Sequence, residues 1–186
     1  MMHPMRVVVW LVEGTWQGCL DATAPQLPRD AHVALLHVTP SDVAEVAGAA
    51  SAGLLGRALR GHRAVRRLEE IEDEAASAIL TGAVERLGRD AELLQRRGRV
   101  EREVVGAVAH GVDLLVVARD GDRSRLGPHS LAPATRFVVD HAPCAVLLVW
   151  PDEPPGIESM PPPPPPGHHP PARGPHGESG PPRVRQ

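Results

Sequence analysis

The sequence contains no lysine, no tyrosine and no asparagine, so all 20 of its basic residues are arginine. Without lysine there is no complete phosphate-binding P-loop, no Schiff-base lysine and no Ser-x-x-Lys acylation site. Aromatic residues are nearly absent, at one Phe and three Trp, and the net charge is −3. A general nucleic-acid binder needs a basic face and stacking rings, so that class is excluded. The two cysteines, Cys19 and Cys144, form no CxxC pair and are too few for a disulfide scaffold. They are expected as reduced thiols of a cytoplasmic protein. No apolar run reaches the ~18 residues that span a bilayer, so no membrane partner is expected. Val7 to Val12 follows Met5-Arg6 and ends at Glu13, and it reads as a buried strand rather than the core of a leader.

Proline is scarce in one part and crowded in another. Seven prolines lie in residues 1–150 and fourteen in 151–186. The chain therefore divides into a body, 1–150, and a proline-rich tail, 151–186, expected to be disordered. A body of that size makes one domain and buries about 68–70% of its unfolded surface.

Short, continuously apolar runs bounded by turns suit strands covered on both faces. Val7–Val12, His32–Val38, Val112–Ala118 and Ala145–Trp150 are of this kind. Trp16 to Leu27 reads as a helix with Thr15 as N-cap. Ser41 to Gly61 reads as a short helix and then a mobile connection. Leu68, Ile71, Ala75, Ile79, Leu80, Ala83, Val84 and Leu87 make one helical stripe over Arg66–Leu87, with Arg66–Glu70 and Glu85–Arg89 as outer pairs. Val100, Val104, Val105 and Val108 make a second stripe, and Pro133 to Asp140 a last helix. Ala91 to Arg97 fits either a continued helix or a strand. The alternation predicts an α/β fold: a doubly wound, mainly parallel sheet with helices on both faces. Ligands on such sheets bind beyond the carboxyl ends of the strands, so the loops after Val12, Val38 and Ala118 are where chemistry is expected.

Val112 to Ala118, a Gly-containing loop, and then Phe137-Val138-Val139-Asp140-His141-Ala142-Pro143-Cys144 leading into Ala145–Val149 resemble the C-terminal half of the universal stress protein (UspA) family. Val12-Glu13-Gly14-Thr15 resembles the end of that family's first strand. The resemblance covers about residues 6–150 and implies a Rossmann-like sheet of five strands, with Ala91–Arg97 as the third. It also implies a stress-response regulatory module, a homodimer paired through the last strand, Cys144 to Trp150, and in one class of members ATP as ligand. That class carries G-x-x-G, nine residues, then G-[ST], whose backbone N–H groups meet the phosphates at a helix N-terminus. Here the first Gly position is Ala118, the second matches Gly121, and the G-[ST] position falls at Ala132-Pro133 after one extra residue. Pro133 removes a backbone N–H and a hydroxyl that would both face phosphate.

The nucleotide site carried over by the resemblance comprises Glu13, Gly14, Thr15, Val38 and Gly121. Arg123, Arg125, Gly127 and Ser130 offer a relocated phosphate site on the rewritten loop. In the alternative reading that loop is solvated, and Glu13 accepts amides at the next helix start instead of touching a ligand. No catalytic constellation is recognisable: there is no G-x-S-x-G, no HExxH and no paired carboxylates at a telling spacing. The chain is therefore expected to bind rather than to catalyse, with slow ATP hydrolysis on the 121–130 loop as the alternative. Cys19 and Cys144 read as small buried residues, and His168, His169 and His176 lack a metal-site pattern. Pro161 to Pro166 is expected as a polyproline II rod, either a spacer or a ligand for a partner's aromatic groove.

Overall fold

The computed structural model describes residues 3–41 and 58–162. The elements run β1 (Arg6–Leu11), α1 (Trp16–Thr23), β2 (His32–Pro40), α2 (Ala58–Leu87), β3 (Glu92–Gly98), α3 (Val100–Ala107), β4 (Leu114–Ala118), α4 (Pro133–His141) and β5 (Ala145–Val149). All neighbouring strand pairs are parallel and the order is β3-β2-β1-β4-β5. The expected fold is thus observed, and Glu92–Gly98 is its third strand.

β1 is central because it is apolar on both faces. Val7, Val9 and Leu11 face a core closed by Cys19 and Leu20 of α1 and by Leu80, Ala83 and Leu87 of α2. Val8 and Trp10 face the other core, closed by Val104 of α3, by Val108 just past its end, and by Val138 of α4. Each fully buried branched side chain stabilises by roughly 1.5–3 kcal/mol relative to exposure, so the two-sided strand is held from both layers. The order reverses between β1 and β4, which makes their carboxyl ends the crevice where such sheets take ligands.

Four local expectations are revised. The first helix stops at Thr23, followed by a 3₁₀ turn at Ala24–Gln26 around Pro25. Thr15 stands at the N-cap position but makes no side-chain cap; its hydroxyl donates back to the Val12 carbonyl at 3.2 Å. The long helix begins at Ala58 rather than Arg66. Once a helix is nucleated, extension through Gly61 costs only about 1 kcal/mol. Arg89 does not pair with Glu85; its guanidinium donates to the carbonyls of Pro28, Arg29 and Ala31 and ties the end of α2 to the turn before β2. The expected helix and connection at Ser41–Gly61 fall largely on residues 42–57, outside the described residues, as do His168, His169, His176 and the proline run beyond residue 162.

Candidate functional site at the carboxyl edge of the sheet

Two neighbourhoods form at the carboxyl edge. The first is a cavity of about 330 Å³ at the ends of β1 and β2. Trp10, Val38, Ile79 and Val100 give it apolar walls, and Glu13, Thr39 and Glu72 supply oxygen. Thr39 is 6% exposed and its hydroxyl has no partner among the described residues. A buried, unpaired hydroxyl is costly unless something else bonds it. Glu13 is exposed at the mouth of this cavity, and its carboxylate accepts no amide of α1 among the described residues. Gly14, with φ of +77°, turns the chain from β1 into α1. Glu13 and Val38 therefore line one cavity, whereas Gly14 and Thr15 shape the turn beside it.

The second neighbourhood is the loop after β4. It is folded on itself: the Gly121 N–H donates to the Ser130 carbonyl at 3.0 Å, and the Asp122 N–H to the His129 carbonyl at 2.8 Å. A Cβ on Gly121 would stand 2.4 Å from the His129 carbonyl oxygen, so the glycine serves close approach of the loop's own backbone. The groups expected to meet phosphate have internal partners. Arg123 pairs with Asp152, and the Arg125 Nε donates to Asp122 at 2.8 Å. Ser130 is fully buried; its hydroxyl donates to the Gly127 carbonyl at 2.7 Å and accepts from Arg119. These arginines and this serine are not gathered around an open anion hole.

Sequence reasoning missed Asp120. Its carboxylate sits at the start of α4, where the Ala132 N–H reaches Oδ1 at 3.0 Å and the Thr135 hydroxyl donates to Oδ2 at 2.6 Å. A helix N-terminus favours an anion, and here the chain supplies one itself. No spacing signal links residues 120, 132 and 135. Arg119, just before it, lies over the ring of Trp150 with its Cζ 4.7 Å from the centroid.

The Ser124 hydroxyl and amide, and then Arg125, hold the Asp122 carboxyl below its usual range. Burial pushes the Cys19 thiol up to about 12, and burial also raises that of Cys144, so neither is a ready nucleophile. Among the described residues no group of three or more His, Cys, Asp or Glu could hold a metal ion, and no helix is long and apolar enough to cross a membrane.

The hypothetical protein MJ0577 superposes at a TM-score of 0.57, with 16% identity over 80% of this chain and 97% of that one. The universal stress protein UspA from Lactobacillus plantarum gives 0.53, with 18% identity over 80% and 99%. A universal stress protein from Archaeoglobus fulgidus gives 0.50, with 16% identity over 78% and 98%. At such identities the likeness shows the fold alone, and no curated protein matches the chain. The sequence model of the Universal stress protein family, in contrast, matches residues 22–149, from within α1 to the last residue of β5. Fold, strand order and sequence agree: the chain belongs to the universal stress protein family.

Proposed function

We propose that this chain is a non-catalytic regulatory module of the stress response with a degenerate adenine-nucleotide site, whose base end is kept and whose phosphate end is weakened. The observation that carries the reading is the Asp120 carboxylate at the start of α4, bonded to the Ala132 N–H and the Thr135 hydroxyl. A phosphate placed there would meet a like charge instead of free donors, and Pro133 offers it no N–H. The pairing of Arg123 and Arg125 with the chain's own acids supports the same reading. The base end is supported by the cavity of Glu13, Val38 and Thr39, where the unpartnered Thr39 hydroxyl awaits a bond.

The module acts as a homodimer joined along β5, in a cytoplasm that suits its two free thiols. β5 is an edge strand carrying only Ala, Val and Leu, and an open apolar edge is an aggregation hazard unless paired.

Titration calorimetry with adenosine, AMP and Mg-ATP tests the site. The three ligands are expected to bind with affinities within about threefold of one another, since added phosphates gain little from groups already paired. ATP binding more than tenfold tighter than adenosine, and lost in Gly121→Val, would instead assign ATP binding and slow hydrolysis to the 121–130 loop. Heat from none of the three would remove the nucleotide site altogether and leave a protein-binding module.

A further inference from the structure

The family domain ends at β5, yet the described chain continues to residue 162 and turns back over the loop after β4. It makes five contacts along the way. The Trp150 ring carries the Arg119 guanidinium. The Pro151 carbonyl presses on α1 at Gly18, where a Cβ would stand 1.7 Å from its oxygen. Asp152 pairs with Arg123. After a 3₁₀ turn at Ile157–Ser159, the Ser159 hydroxyl accepts the Leu126 N–H at 3.0 Å. The Pro161 ring then passes Gly127, 3.9 Å from where its Cβ would be.

We propose that residues 150–161 form an autoinhibitory strap that latches the 121–130 loop shut and so excludes phosphate-bearing ligands from the carboxyl edge of the sheet. This inference rests on the reading of that edge as a nucleotide site. From Asp152 onward the contacts of the strap fall on the loop, at Arg123, Leu126 and Gly127. Ile157 is 77% exposed and Met160 54%, so the segment leaves its large apolar side chains in water. A segment kept for stability would bury them. Past Trp150, what holds the strap is an exposed ion pair, one hydrogen bond and contacts at glycine surfaces, each weak by itself. Such a latch opens without unfolding the domain, and local opening of this kind governs access in many binding loops. Arg123 is the switching residue: with the strap closed its charge is spent on Asp152, and with the strap open it is released at the phosphate end.

The test uses the full chain and the double variant Asp152→Ala/Ser159→Ala, with a chain ending at Trp150 as a second release variant, accepted once hydrogen exchange in β1 and α2 matches the full chain. Exchange at the Leu126 amide and its loop neighbours is expected to rise about tenfold on release, as fits the loss of one hydrogen bond and one exposed pair. Mg-ATP is expected to gain about tenfold in affinity while adenosine stays unchanged. Unchanged loop exchange overturns the strap. Faster exchange with no gain for ATP, adenosine still binding, overturns the exclusion of phosphate and leaves the function proposed above intact. Binding of neither ligand to any form overturns that function and the exclusion with it.

Discussion

The two edges of the sheet solve the same problem in opposite ways. β3 exposes its free side but carries Glu92, Gln95, Arg96 and Arg97, and is tied down by charge. Arg97 reaches both Glu72 and Asp73 of α2, Gln95 reaches Asp73, and Arg96 pairs with Glu103 of α3 at 3.6 Å. β5 has no charged residue; Val146, Leu147 and Leu148 are half-buried and Val149 is buried. A charged edge repels a stray strand, whereas an apolar one invites a specific one. One edge of this molecule is guarded by charge, and the other is the edge at which we propose the second copy pairs.

The largest test of that contrast is Leu147→Glu. In a symmetric β5–β5 pairing it sets like charges near one another, which costs several kcal/mol. Sedimentation is expected to shift from two chains to one at micromolar concentration, with the dissociation constant weakened at least 100-fold, on the order of 3 kcal/mol. A single-chain mass for the unmodified protein would remove the contrast. The opposite change, Arg97→Val, removes a charge from the same face of β3 as Leu93, which is 48% exposed. Folding stability is expected to fall by less than about 1 kcal/mol, because exposed pairs contribute little, or roughly 2–4 °C in melting temperature. Light scattering is nonetheless expected to show self-association that the parent lacks.

A gentler probe is thiol labelling at pH 8. Cys144 precedes β5 and its thiol is raised by burial, so alkylation is expected to be slow in the dimer and several-fold faster in Leu147→Glu. Cys19, pushed up to about 12, stays unlabelled in both until the protein unfolds. The smallest effect is that of acid. The Glu101 carboxyl, just past β3, lies below its usual 4.5, first through a backbone hydrogen bond and then through Arg99. Asp21 lies below 3.8 through Arg86, and Asp122 through Ser124 and Arg125. A carboxyl depressed by folding stabilises most above its unfolded pKa, and that stability is lost as pH falls through the folded value. Melting temperature is therefore expected to be unaffected by these groups above about pH 5 and to drop below about pH 4. β5 has no titrating side chain, so the dimer should persist until the fold itself gives way.

The fold was legible because it is written in local terms. Continuous apolar runs marked β1, β2, β4 and β5, and the stripe from Leu68 to Leu87 marked most of α2. β3 was ambiguous because its polar edge alternates like neither a buried strand nor a helix; the family pattern, not its own residues, placed it. The grouping of Glu13 and Val38 at one cavity was legible too, since both lie at strand ends. The internal pairing of the loop after β4 was not. Arg123 finds its acid 29 residues away, Ser130 finds Arg119 across the loop, and Asp120 finds its donors 12 and 15 residues on. Pairings of that range depend on how the loop closes, and composition does not encode loop closure. Only Arg125 with Asp122, three residues apart, could have been read directly.

The position of β5 has a consequence for geometry at a distance. Its neighbour β4 runs parallel to it, so its other flank is the free one. Two copies meeting there about a two-fold axis must run antiparallel, and the combined ten-stranded sheet then changes direction at its centre. In such a dimer the carboxyl edges of the two protomers would face opposite ways, and residues 150–162 of the two copies would lie at opposite poles, so neither copy could latch the other.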